Sequence, residues 1–166
     1  ALSARGIPHI VIGGHAVAER GEAHAIMVAL RAIESPRDRL LVYATLKGLL
    51  FGVPDDLLFS WQRAYGALDP IRLPITAVPE RLSIVLQALL LLGALHRRRN
   101  ERSAAETLQA LLEATRAELA IALTATPAQG FLQVQSLFQR AFEHDKTGGI
   151  SFRAFARELA DPTTFE

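Results

Sequence analysis

The chain has 166 residues, half of them apolar and 21% charged, which suits one folded domain with a sizeable core and excludes a disordered segment. A formal net charge of +1 excludes a chain-wide electrostatic case for nucleic acid, so any such surface has to be a local patch. The absence of cysteine excludes disulfides, thiolate metal sites and cysteine nucleophiles, and with no signal-peptide pattern the expected location is cytoplasmic.

Ala1 to Arg5 reads as the tail of a helix closed by Gly6, with no initiator methionine, so the sequence is expected to be a piece of a longer chain. His9-Ile10-Val11-Ile12 is the one convincing strand. A lone strand cannot pair with itself, and its partners are expected elsewhere. From Ala16 to Ile33, the apolar residues Ala23, Ile26, Met27, Leu30 and Ile33 fall at helical spacing, with Gly21 weakening the first turns.

Ser35-Pro36 is read as the opening of the next helix, a hydroxyl cap followed by proline at the first position. Lys47-Gly48 closes it with a cation and a residue tolerant of positive φ. Leu49-Leu50-Phe51 is expected to tuck into the core. Gly52 to Asp56 then turns the chain into a helix carrying Phe59 and Trp61, which ends near Gly66. Ile71 to Val78, with Pro74 and no period, is read as a loop packing through Ile71, Leu73 and Ile75.

Pro79 or Glu80 starts a very apolar helix running to about Arg97. Its run from Leu82 to Leu95 would span only ~21 Å as a helix, short of a bilayer core, so a buried helix is expected and no membrane partner. Ser103 and Glu106 have capping-box spacing ahead of a helix to about Leu123. Thr126-Pro127 opens another, with Phe131, Val134, Leu137, Phe138, Ala141 and Phe142 on one face. Gly148-Gly149 ends it, Ser151 caps a last helix from Phe152 to Leu159, and Asp161-Pro162 stops the fold.

Few constellations carry chemistry. A phosphate loop needs glycines followed by lysine and a hydroxyl ahead of a helix. The only lysines are Lys47 and Lys146, neither so placed, so no nucleotide site is expected in these residues. Glu143, Asp145, Thr147 and Gly148 imitate the start of a calcium loop, but its twelfth position is Ala154 where a bidentate glutamate is needed. A Gly-Gly turn between two helices is the better reading. The five histidines form no metal-ligand pair, and no nucleophile elbow is present. Catalytic, cofactor and metal residues are therefore expected to be none.

The cationic cluster is Arg97-Arg98-Arg99 with Arg102. Arginines at the end of an apolar helix complement its dipole and keep it in water. The alternative is contact with the phosphates of duplex DNA. Gly13-Gly14-His15 leaves the strand in a form that lets backbone approach a nucleic acid strand closely.

Ser35-Pro36-Arg37-Asp38, Leu46-Lys47, Leu50-Phe51-Gly52-Val53, Asp55 and Leu58 together resemble the region after the fourth helicase motif of UvrD/Rep-type superfamily 1 helicases, in the form found in the AddA/RecB-like branch. Upstream, Gly6-Ile7-Pro8, Gly13-Gly14, Arg20 and Glu22, and the helix to Ile33 follow the same order. The resemblance covers Gly6 to Leu58 and thins to composition afterwards. Val17 and Ala18 stand where the family has an aromatic pair, and Leu50-Phe51-Gly52-Val53 replaces the R-G-I-G turn of the UvrD-like branch.

The resemblance implies a mostly α fold with one short N-terminal β-strand. Residues 1–34 would be a remnant of the second RecA-like lobe, and residues 35–166 a helical insertion subdomain. The parent would be an ATP-dependent 3′-to-5′ DNA helicase or helicase-exonuclease of repair and recombination, using ATP and Mg held elsewhere. Its partners would be single-stranded and duplex DNA and a nuclease subunit. The Gly13, Gly14 and His15 loop would lie near the single strand, and Arg20 would bridge to Glu22 or contact DNA. A free-standing helical adaptor that binds protein through an apolar groove is the alternative.

Overall fold

The computed structural model describes residues 21–148 and 151–160. Among them every regular element is a helix: α1 (Glu22–Glu34), α2 (Arg39–Lys47), α3 (Asp55–Tyr65), a 3-10 turn (Glu80–Leu82), α4 (Ser83–Arg98), α5 (Ala104–Thr115), α6 (Ala117–Ala122), α7 (Pro127–Lys146) and α8 (Phe152–Glu158). The mostly α expectation holds. The expected strand at His9 to Ile12 and the stop at Asp161-Pro162 lie outside the described residues.

Helix α1 is the centre of the bundle. Ala23, Ile26, Met27, Ala29, Leu30, Ala32 and Ile33 are buried, too many for one stripe, so the helix is covered on more than one side. It packs against α2, α4, α7 and α8. The residues read from sequence as a lobe remnant thus supply the axis around which the later helices gather. Helix α4 presents Val85, Leu89, Leu92 and Leu95 to the same continuous core.

Gly93 lets the 67–72 segment lie against α4, because a Cβ there would collide with the Pro70 carbonyl oxygen. That segment is anchored by Leu68 and Pro70, both buried. Ile71 and Ile75, expected to pack, are exposed, and Ile75 fully so. Pro70 fixes the approach and carries Ile71 past the surface; Leu73 does pack.

Two boundaries and one cap conformation differ from the sequence reading, each for a local reason. Ser35 ends α1, its N–H donating to the Arg31 carbonyl, and Asp38 caps α2 by accepting from the Leu40 and Leu41 N–H groups. A carboxylate two and three residues ahead of free amides outcompetes the earlier hydroxyl. Gly48 closes α2 without positive φ; the left-handed conformation falls at Gly52, within the elbow. The single helix expected from Ser103 to Leu123 breaks at Arg116, which is left-handed at φ 50° and separates α5 from α6.

In the elbow Leu50 is buried as expected, while Leu49 and Phe51 are half-buried, Phe51 packing against the core; Val53 is buried and its N–H donates to the Leu46 carbonyl at 2.9 Å. Ser103 and Glu106 form a reciprocal capping box, and the Ser151 hydroxyl accepts from the Ala154 N–H.

Candidate nucleic-acid interface

The C-terminal ends of α1 and α4 lie side by side. His96 Nδ1–H donates to the Ile33 carbonyl at 2.7 Å, and Glu34 receives two arginines at 2.8 Å each, Arg99 through Oε2 and Arg153 of α8 through Oε1. The Glu34 side chain is only 9% exposed. Burial pushes its carboxyl up, but the hydrogen bonds and charges of Arg153 and Arg99 outweigh that and hold it below its ordinary value. Three elements are joined by this carboxylate.

The proposed DNA contacts divide accordingly. Arg99 is spent on structure, since it binds Glu34 and also donates to the His96 carbonyl at 2.6 Å. Arg97 and Arg98 are exposed on the outer side of the same helix end. Arg102 is half-buried and lines a cleft of about 370 Å³ with Asp145, His144 and Ser151. Gly13, Gly14, His15 and Arg20 lie outside the described residues.

Two further groups of arginines meet this end. Arg31, Arg153 and Arg157 surround Glu34 and Asp38 in a cleft on one side of the α1–α2 turn. On the other side, Arg37, Arg39 and Arg72 line a second cleft with Leu68 and Asp69. The Arg97 guanidinium reaches back beside Gly93, where the same 67–72 segment crosses α4. A chain that is nearly neutral as a whole therefore carries a concentrated positive end, which can attract polyanions irrespective of net charge. Sequence reading singled out only the contiguous run. Arg37 and Arg39 flank Asp38 and look balanced in one dimension, while Arg72 joins them only through the fold.

The chemistry of other groups is more local. Asp145, suggested by the calcium-like spacing, accepts the Ala104 and Ala105 N–H groups at 2.9 and 3.1 Å, so both of its oxygens cap α5. Glu143 and Asp145 stand within α7 and do not belong to a loop. Among the described residues no three His, Cys, Asp or Glu side chains converge as a metal set. His144 packs on Phe155 with the rings tilted at 47° and their centroids 5.3 Å apart, and it places Nδ1 3.5 Å from Glu158, while its buried Nε2 has no hydrogen-bond partner among the described residues. No described helix is long and apolar enough to cross a membrane.

The residues that carry the helicase resemblance mostly hold the elbow together. Asp55 at the start of α3 receives Lys47 at 2.6 Å and the Tyr43 hydroxyl at 2.8 Å. The Lys47 and Tyr43 hydrogen bonds hold the Asp55 carboxyl below its ordinary range, and Asp55 raises both of theirs. Leu46, Leu50, Val53 and Leu58 fill the core beneath. No family model, characterised protein or solved structure matches the chain.

Proposed function

We propose that this chain is a helical accessory body of an ATP-dependent DNA helicase of the UvrD/Rep type, in its AddA/RecB-like helicase-exonuclease form, and that its arginine-rich end contacts DNA. The observation that carries the reading is the gathering of arginines from α1, α2, α4, α8 and the 67–72 segment at one end of a nearly neutral molecule. Arginine's planar fork suits phosphate oxygens, and such contacts fix position without reading sequence. The body would hold or steer DNA while ATP and Mg are handled by other parts of the parent, in which a nuclease subunit is a further partner. The sequence offers no phosphate loop, so the isolated chain should not hydrolyse ATP. A turnover assay with the purified chain checks that, and measurable hydrolysis would end the assignment.

The direct test is fluorescence anisotropy with a labelled duplex carrying a single-stranded tail. Binding should weaken steeply with salt, because each neutralised phosphate releases condensed counterions. Arg97→Ala with Arg98→Ala should weaken it further while leaving the fold intact. Unchanged affinity and salt slope would remove these two residues from the interface.

The adaptor reading has one observation in its favour. A groove of about 560 Å³ between α5, α6 and α7 is walled by Leu112, Ile121, Phe131, Val134 and Phe138, with Leu119 exposed beside it. An amphipathic partner helix would suit such a groove.

A further inference from the structure

We propose that the cleft between the α1–α2 turn and the 67–72 segment is a phosphate-binding site that seats one phosphodiester of a nucleic acid backbone. This rests on the DNA reading above and moves its anchor away from the Arg97–Arg102 run. Three guanidinium groups, Arg37, Arg39 and Arg72, line a cleft of about 230 Å³, and all three are exposed. None has an acidic partner among the described residues.

The one carboxylate in the lining is Asp69, whose Oδ1 accepts the Ile71 and Arg72 N–H groups at 2.8 and 3.1 Å. Asp38, between the other two arginines, is likewise turned to its own helix, accepting from Leu40 and Leu41. Each carboxylate is held by backbone amides and is not ion-paired with a guanidinium, so three arginines face one carboxylate in the lining. The floor is buried Pro36 and Leu68, and Pro70 is pressed onto Gly93, so neither wall is loose. With Asp69 counted, the lining still carries a surplus of positive charge, and a phosphate offsets it while accepting forked hydrogen bonds from arginine. The volume leaves room for a phosphate group with a few waters, each needing about 30 Å³. The cleft is shallow and its arginines are wet, so a free phosphate should bind weakly and a polyanion much better.

The test uses the full chain and the labelled tailed duplex at about 100 mM salt. Arg37→Gln, Arg39→Gln and Arg72→Gln together should raise the Kd by about tenfold or more and flatten the plot of log affinity against log salt by about 1, the contribution of one phosphate. Circular dichroism should be unchanged, because all three side chains are exposed. Wild-type affinity in that variant, with binding lost in Arg97→Gln/Arg98→Gln, would overturn the cleft and leave the DNA reading standing. Should the wild-type chain bind no DNA, the nucleic-acid assignment ends, and titration with inorganic phosphate decides the rest. Arginine Nε–Hε resonances that move at millimolar phosphate, and are missing from the spectrum of the triple variant, would keep the phosphate site; unmoved resonances would overturn it.

Discussion

Glu34 shows how one side chain can set the geometry of a whole surface. It is the acceptor for both Arg99 and Arg153, and its neighbour's carbonyl accepts from His96. Glu34→Gln keeps the shape and removes the charge, leaving Arg99 partly buried without an anion. The expected loss is about 2 kcal/mol in urea unfolding, between the values for exposed and fully buried pairs, because Arg153 remains well exposed. The pH dependence follows from the direction of the shift. The folded carboxyl lies below its ordinary 4.5, so its contribution is complete above that value and fades as pH falls through the lower folded value. The stability gap between wild type and Glu34→Gln should therefore close below about pH 4.5; a gap constant from pH 7 to pH 3 would contradict the pairing. Asp145→Ala is a second test at this scale, since it frees two amides at the start of α5. It should cost about 1–2 kcal/mol by the same measurement.

Among the elements, α7 does more than its apolar face suggests. Its Gln133 accepts the Ala23 N–H at the start of α1, and its Asp145 caps α5, so one helix closes the N-termini of two others. Gly130 lets it come close, because a Cβ there would press on the Ile121 methyl and on Glu22. Gly93 plays the same part in α4 against the Pro70 carbonyl. Gly93→Ala gains helix propensity of about 1 kcal/mol but meets backbone that cannot swing aside, so the net effect should be a loss of about 1–3 kcal/mol, read as a lower Tm. Helices and their order were legible from periodicity, and so were the two serine caps at Ser103 and Ser151. What sequence could not show was set across space. Asp38 rather than Ser35 caps α2 because of where the amides end, and Arg116 breaks α5 from α6 with no glycine or proline to announce it. Phe131 and Phe142, on the expected buried face, stay about half exposed because the buried stripe of α7 runs through Gly130, Leu137 and Ala141, one residue away from each of them.

At the scale of the molecule, net charge is a poor guide to surface chemistry. Sixteen arginines and seventeen acids nearly cancel along the chain. Asp38, Asp69 and Asp145 accept backbone amides and Glu34 takes two other arginines, so Arg37, Arg39, Arg72, Arg97 and Arg98 face water without an ion pair among the described residues. The contiguous run at Arg97 was visible in one dimension; the cleft was not, because Arg72 follows Arg39 by more than thirty residues. The most direct measurement is a backbone amide footprint, recorded by NMR on the isotopically labelled chain as a tailed DNA duplex is added. Shifts should gather in residues 31–39, 68–72, 96–102 and 153–157, and fade as salt rises. Silence there, or a response confined to the apolar groove of α6 and α7, would contradict the account.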